Sequence, residues 1–541
     1  MKASDYIKEW SKLKTTRTTW DQTYQKLSDF VSPTPRNIVG QSSMGGRKKA
    51  MVLDTTATDV AVQLGHALNS AATNPLSDWF RLTIDDYDLA VDRDAKLWLD
   101  VVADRTNHYL KQSNFAESMS EVYLDLIIYG TVGLLVEEDD EDGFYFSARN
   151  IGEFVISENH KGKPDRVLRK AIMTARQAAM KFGKLPRSID AKYQEDPEAL
   201  VNILHIIEPR NERNPDKIDK KNKPIRSIWV SMDDDEVIDE SGYDEMPFIV
   251  ARWAKNAGDT YGYSPAMQCI NAILALNLIE KTSLEAKQLA ARPPLFFSDD
   301  SQVSKFQYRE GSVTYLRRNS DKPYALDTKS QPNAADSAAE DRRKLIQSTF
   351  FNDLINKELK YVTAEGVRDA RNERDHTLTS AMGRIQSELL EPLINRLVGI
   401  AIRKKLIPDP PKSIQGRSFR PVWTSPLARK QEERVADSIM KAATMIGQIS
   451  QLFATPTPLL ERFDFDALSK VIADVYNVPQ SIVKDDATIK AEREKVQQAQ
   501  AEQQKQQQMM QMMQQGAAIE SQTANTNGPV NKIMKGLNEQ I

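Results

Sequence analysis

The residues of this chain best suited to chemistry are two carboxylate runs, Glu137 to Asp142 (EEDDED) and Asp233 to Glu236 (DDDE). Clustered Asp and Glu can hold a pair of divalent cations for phosphodiester cleavage, as in metal-dependent nucleases. Both runs, however, fall between strand-like segments. Gly143 follows the first, and an Asp-Gly step signals a hairpin. Asp itself is favoured in turns because its side chain bonds the local backbone. The turn reading therefore outweighs the metal reading. The five histidines, His66, His108, His160, His205 and His376, stand far apart without partners at zinc-ligand spacing. Neither a G-x-x-x-x-G-K-[ST] loop nor a G-x-G-x-x-G loop occurs, so no nucleotide-driven motor is predicted. The expectation is a non-enzyme with no catalytic residue, no metal and no cofactor.

A second constellation could touch a polyanion. Asn356 to Thr363 (NKELKYVT) carries Lys357, Lys360 and Tyr361 between two long helical segments. In a lone monomer this is a solvated connection. In a ring of copies the same lysines would face whatever passes through the middle.

The elements that must position this link are two mirrored helices, Ser264 to Ala291 and Ser337 to Lys360. The first opens with Ser264 as N-cap and Pro265 at the first helical position. Its early half is apolar nearly all round: Met267, Ile270, Ile273, Leu274, Leu276, Leu278 and Ile279. Its later half admits Glu280, Lys281, Glu285, Lys287 and Gln288. The second begins charged, with Glu340, Asp341, Arg342, Arg343 and Lys344, and ends apolar through Leu345, Ile346, Phe350, Phe351, Leu354, Ile355 and Leu359. Packed antiparallel, they predict a stalk with a buried root and a wetter tip. Pro293 to about Pro332 would form a β-rich module on that tip.

The 541 residues leave room for several cores. Hydrophobic content of 40% and charged content of 28% fit a folded protein. A net charge of −3 offers no global basis for nucleic-acid affinity. The lone Cys269 excludes disulfides within the chain and fits a buried, inert thiol in a reducing setting. Met1 to Trp10 has no apolar leader, and the greasiest run, Leu126 to Val136, falls short of the ~20 residues a span needs. That run reads instead as a helix end entering a buried strand.

Along the chain, helices are expected to Phe30, from Asp54 to Ala72, from Val91 to Gln112 and from Phe115 to Tyr129, with a strand at Trp79 to Ile84. Mostly strands follow to Trp253, with one helix at Thr174 to Phe182 and a hairpin turning at Asp233-Asp234-Asp235. Thr363 would cap a long helix running to about Lys405, bent at Gly366, Gly383 and above all Pro392. Further helices are expected after Trp423. Gln497 to Gln515 is rich in glutamine and methionine, a helix former with little to offer a core. The fold class is α+β and multi-domain.

Six phrases, in order across roughly residues 50 to 485, resemble the portal, or head-to-tail connector, proteins of short-tailed bacteriophages. They are Ala72 to Ile84 (ATNPLSDWFRLTI), Met246 to Pro265 (MPFIVARWAKNAGDTYGYSP), Arg292-Pro293-Pro294, Tyr361 to Glu373 (YVTAEGVRDARNE), Ser425 to Lys430 (SPLARK) and Tyr476 to Ile482 (YNVPQSI). The resemblance implies a ring, typically of twelve subunits, at one capsid vertex of the virion, assembled in the host cytoplasm. Double-stranded DNA would be packaged and ejected through it. Residues 1–263 would form an α/β wing, 264–291 and 337–360 the stem, 292–336 the clip, 356–363 the tunnel loop, 364–454 the remaining wing with the bent helix, and 455–485 a helical crown. Residues 486–541 would extend as a barrel or tail. Met267, Ile270, Leu274, Leu278, Glu285, Lys287, Arg342, Arg343, Phe350 and Phe351 would build the stem. Arg309, Arg317 and Arg318 would make clip contacts. The implied partners are terminase, a tail adaptor, and the major capsid and scaffolding proteins, with no membrane. A channel must let DNA slide, so weak, breakable phosphate contacts suit it better than strong basic binding. The rival readings are a scaffold or interaction protein and, less well supported, a metal-dependent nuclease using Asp233, Asp234 and Asp235.

Overall fold

The computed structural model describes residues 2–40, 52–74, 77–84, 93–141, 143–214, 216–217, 219–291, 295–296, 324–325, 332–352, 382–414, 419–423, 441, 444 and 486–523. Two helices open the chain, α1 (Ala3–Thr16) and α2 (Thr18–Phe30), with the elbow Arg17 between them. Arg17 is only 1% exposed. Its Nε donates to Asp21 Oδ1 at 2.8 Å and its Nη1 to the Phe154 carbonyl at 2.5 Å, which ties the elbow to a distant strand.

Next come α3 (Thr56–Ala72), β1 (Phe80–Ile84), α4 (Arg93–Gln112) and α5 (Phe115–Tyr129). Thr55 stands at the N-cap position of α3, and Asp54 beside it accepts from the Thr56 amide at 2.9 Å. Strand β1 pairs antiparallel with β12 (Phe419–Trp423), more than three hundred positions away, from Phe80↔Trp423 to Ile84↔Phe419. Helix α5 ends at Gly130, whose φ of +72° is the left-handed cap conformation that glycine adopts without a steric penalty. A Cβ on Gly130 would lie 2.6 Å from the Gly262 carbonyl oxygen, and one on Gly262 would lie 2.3 Å from the Gly130 oxygen. The two glycines let two backbones touch where the next strand begins at Thr131.

The greasy run Leu126 to Val136 is indeed a helix end entering a strand. β2 (Thr131–Asp139) lies at the centre of a three-stranded sheet of order β3-β2-β9, with β3 (Gly143–Arg149) and β9 (Phe248–Arg252) antiparallel on either side. β2 and β3 form the hairpin that the acidic run with Gly143 predicts. Asp142 itself lies outside the described residues. The second sheet has five antiparallel strands in sequence order: β4 (Phe154–Glu158), β5 (Pro164–Thr174), β6 (Leu200–Pro209), β7 (Ile225–Ser231) and β8 (Glu236–Tyr243). Between β5 and β6 run α6 (Ala175–Phe182) and α7 (Arg187–Glu195), the latter absent from the sequence expectation. Thr174 caps α6 by a reciprocal box with Gln177.

Period-two alternation buries both faces of this sheet. Leu168, Leu204, Ile206, Ile228 and Val230 pack on Ala3, Tyr6 and Trp10 of α1. On the opposite face Ala171, Val201, Ile203 and Trp229 pack on α6 and α7. The main core gathers α2 to α5, β2, β3, β9 and the first half of the helix after residue 264.

The run expected to bend at Pro392 contains a π turn at Gln386–Leu390, followed by α10 (Glu391–Arg403) with Pro392 in its first turn. A π turn widens the helix and re-aims its side chains. Here it carries Glu388, whose two oxygens take Nε and Nη2 of Arg252 at 3.0 and 2.7 Å. Arg252 is fully buried and also pairs with Glu158, so a charge that burial would otherwise penalise is held between two carboxylates. Residues 364–381 and 455–485 lie outside the described residues, and the expectations placed on them are left there.

Residues 443–541 form a separate compact unit. Within it α11 (Asp486–Thr523) is a single helix of 38 residues, about 57 Å long at ~1.5 Å per residue. Its methionines 509, 510, 512 and 513 are exposed by 65–72%. Among the described residues no helix is long and apolar enough to cross a membrane.

Candidate functional site: an antiparallel helix pair

The mirrored segments fold as α8 (Pro265–Ala291) and α9 (Pro332–Thr349). Ser264 starts α8 as its composition predicts: its Oγ accepts from the Met267 amide at 3.0 Å and donates to the Ile128 carbonyl at 2.8 Å. The helix start is thereby bonded to the end of α5. The second helix departs from expectation at both ends. It begins at Pro332, five positions before Ser337, because Pro is well tolerated in a first turn and the Ala-rich stretch behind it propagates. It ends at Thr349 rather than Lys360, and Phe351 takes a φ of +57°, a left-handed value that terminates a helix.

Ion pairs establish the antiparallel register. Lys287 Nζ pairs with Asp336 at 3.1 Å, and about two turns towards the root, at ~3.6 residues per turn, Arg343 pairs with Glu280. Arg343 also reaches Asp54 Oδ2 at 2.8 Å, so one guanidinium joins α8, α9 and the entry to α3. Burial alone would raise the Asp54 carboxyl, but hydrogen bonds from Thr56 and Arg343 prevail and hold it below its ordinary value of 3.8. The hydrogen bond to Asp54 is in turn the main reason Arg343 is held more basic than usual.

Next to this junction Asn277 is 6% exposed. Its Oδ1 accepts from the Leu53 amide at 2.8 Å, and its Nδ2 donates to the Ile273 carbonyl at 3.0 Å. Neither Asn277 nor Asp54 figured among the expected stalk residues. A lone Asn in a run of leucines and isoleucines was the available signal, since a buried amide requires partners.

The root is dry. Ile273, Leu276, Ile346 and Phe350 are at most 1% exposed, and Ala339 is 2% exposed. Cys269 is buried there, and burial pushes its thiol up to about 12, so it is an inert apolar residue as expected. Met267 and Ile270 are half-buried against the main core, Leu274 is half-buried, and Phe351 packs at the edge. Leu278 corrects the expectation. It is 61% exposed, turned away from α9, because the apolar girdle of early α8 is wider than the stripe one partner helix can cover. Leu284 and Leu345 are likewise exposed, at 50% and 45%. Glu285, Lys287 and Arg342 are exposed, Lys287 with Asp336 as its partner.

Beyond the tip, β10 (Leu295–Phe296) pairs antiparallel with β11 (Tyr324–Ala325), so the segment between the helices leaves and returns as adjacent strands. Arg309, Arg317 and Arg318 lie outside the described residues, as do Lys357, Lys360 and Tyr361. The carboxylates of the rival nuclease reading are engaged locally. Asp234 accepts from Ser231 at 3.0 Å and from Ser188, Asp233 pairs with Lys192 at 2.7 Å, and Asp235 carries a turn φ of +53°. Among the described residues no group of three His, Cys, Asp or Glu is placed to hold a metal ion.

Residues 3–483 match the family described as bacteriophage head to tail connecting protein. The portal protein of Salmonella phage epsilon15 is 29% identical over 513 residues, covering 92% of this chain and 91% of its own length. The probable portal protein of Bordetella phage BPP-1 is 26% identical over 509 residues, covering 92% and 91%. The portal protein of Enterobacteria phage T3 is 21% identical over 359 residues, covering 62% and 64%.

Proposed function

Because this chain belongs to the bacteriophage head to tail connecting proteins and is a portal protein of the virion, we propose that it works as a closed ring, of about twelve copies, through which double-stranded DNA enters and leaves. The observation that carries this reading is the match over residues 3–483, which includes both helices of the antiparallel pair and everything between them. In a ring, α8 and α9 would stand side by side with their copies and act as the stem. The exposed Leu278, Leu284 and Leu345 would then be covered by neighbouring subunits, since leucines left in water this way are better satisfied at an interface. Residues 292–331 would form the clip that meets the packaging terminase and afterwards the tail adaptor. The body before residue 264 would be the wing that faces capsid and scaffolding proteins. Assembly would take place in the host cytoplasm.

Lys357 and Lys360 are assigned a few weak phosphate contacts per subunit, with Tyr361 beside them. This fits a net charge of −3 per chain, because each phosphate neutralised adds salt-dependent grip and DNA must slide. The pairing of β10 with β11 at the tip supports a β-rich clip. No residue is assigned a catalytic role, and the acidic turn at Asp233 to Asp235 acts in backbone architecture.

Particle mass and shape test the reading. Light scattering and negative-stain microscopy of the purified chain are expected to give a ring of close to twelve times 61.2 kDa with a central channel. A monodisperse 61.2 kDa particle under all assembly conditions would overturn it. Double replacement of Lys357 and Lys360 by Ala should lower DNA retention; unchanged retention and packaging would remove those lysines from the channel.

A further inference from the structure

The side of the five-stranded sheet that packs on α6 and α7 holds a buried charge whose counter-charges, Glu153 and Glu137, act on it only from beyond hydrogen-bond reach, and which lies over the Trp229 ring at 5.9 Å. Arg169 on β5 is 4% exposed, and its Nε and Nη1 are buried with no hydrogen-bond partner. No carboxylate among the described residues lies within ion-pair distance of it. Directly opposite on β6 stands His205, fully buried, with Nδ1 also lacking a partner while Nε2 lies 3.0 Å from Ser227 Oγ. His205 stacks on Trp229 of β7 with ring centroids 3.8 Å apart, and Trp229 is in turn approached by Lys181 Nζ of α6 at 4.2 Å. Arg149 at the end of β3 completes the group: its Nε is buried without a hydrogen-bond partner, and it pairs with Glu153 at 3.7 Å.

Arg169, His205 and Lys181 thus gather around the Trp229 ring, with the Arg149–Glu153 pair nearby, and three buried nitrogens on two facing residues, Arg169 Nε and Nη1 and His205 Nδ1, have no hydrogen-bond partner. The mutual repulsion has visible consequences. Burial first, and then Arg169, Lys181 and Arg149, hold His205 neutral well below its usual titration range. Burial and Arg149 bring Arg169 down to about 10, against the opposing pull of Glu153, Glu137 and Tyr243. An unpaired buried guanidinium is among the most unfavourable arrangements a fold can contain, and proteins avoid it by supplying a counter-charge.

We propose that Arg169, His205 and Lys181 form a binding site for a small oxyanion of the phosphate class, taken up between the sheet and α6. The planar guanidinium offers two donors in the fork that an oxyanion accepts, Lys181 adds a point charge at the solvent side, and neutral His205 has Nδ1 free to donate once Ser227 hydroxyl donates to Nε2. A DNA duplex is too bulky to reach a group that is 4% exposed, so the ligand is a free ion rather than a strand backbone.

The full-length assembled protein would be titrated calorimetrically with sodium phosphate in chloride buffer at constant ionic strength, alongside thermal unfolding at each concentration. The expected result is saturable binding and a Tm that climbs with phosphate but not with chloride. Arg169→Met should weaken binding about tenfold or more, the loss of charge-assisted hydrogen bonds. Lys181→Gln, on an exposed helix position where folding is not in question, should weaken it by a smaller factor and decides the matter if Arg169→Met does not fold. Absence of phosphate-specific heat and Tm shift in the parent, or unchanged affinity in Lys181→Gln together with any folded Arg169→Met, would overturn the site.

Discussion

The five-stranded sheet and the α8/α9 pair solve burial in opposite ways. The sheet is closed by its own chain, with α1 on one face and α6 and α7 on the other, and its central apolar residues are covered, Leu200 and Val237 being bare only at the start of β6 and on the edge strand β8. The helix pair is closed only at its root, where Ile273, Leu276, Ile346 and Phe350 are buried, and leaves Leu278, Leu284 and Leu345 in water. The sheet's unmet need is polar, the two unbonded donors of buried Arg169; the helix pair's is apolar. A self-contained body carrying an incompletely covered two-helix arm is the architecture expected of a subunit that completes its core with identical neighbours.

Substitutions at graded depth along the pair can break or sharpen this contrast. The largest effect is expected at the root. Phe350→Ala removes a fully buried ring and should lower stability by about 3–5 kcal/mol in chemical denaturation; a loss under 1 kcal/mol would mean the root is no core. Asn277→Ala comes next, at about 1 kcal/mol, because it removes the acceptor of the half-buried Leu53 amide from an otherwise apolar root. An equal effect from Asn277→Leu and Asn277→Ala would place the loss in the hydrogen bond rather than in the space vacated.

The Asp54–Arg343 contact should contribute about 1 kcal/mol or less, since Arg343 is a third exposed. Its pH dependence has a definite sign. Asp54 titrates lower in the folded chain than its ordinary 3.8, so the stabilisation is fully present above that value and is lost as pH falls through the lower folded one. Arg343→Ala should therefore narrow the difference between parent and variant in acid, and a difference that grows on acidification would refute the pairing. Lys287→Ala, whose pair is half exposed on both sides, should change stability by about 0.5 kcal/mol or less. Smallest for the chain itself is Leu278→Asp, within about 0.5 kcal/mol because the side chain is already in water. The same variant should reduce the recovery of rings in size-exclusion chromatography, and full recovery would show that the exposed face of α8 touches no neighbour.

Much of the local structure was legible in advance. The cap at Ser264, the hairpins at Gly143 and Asp233 to Asp235, and the helix-to-strand passage at Gly130 follow from short-range chemistry that operates within a few residues. The non-local pairings were not. Nothing in Phe80 to Ile84 names Phe419 to Trp423 as its partner, because a strand's hydrogen-bonding groups are the same in every strand. Helix α9 starts earlier than expected because Pro332 and the alanines behind it extend its first turns, and it ends earlier because Phe351 leaves helical φ without a glycine to announce it.

By itself, then, the sequence determined the α+β class, the two mirrored helices, the turn role of the acidic runs and, through six phrases, the family. These are matters of period, capping and local backbone preference. Only the tertiary structure decided which apolar residues of α8 are root and which are bare, that Arg343 clasps Asp54 and Glu280, and that Arg169 is buried with two donor nitrogens unbonded. Burial and ion pairing depend on which distant surfaces meet, and the spacing of residues along one chain carries no record of that meeting.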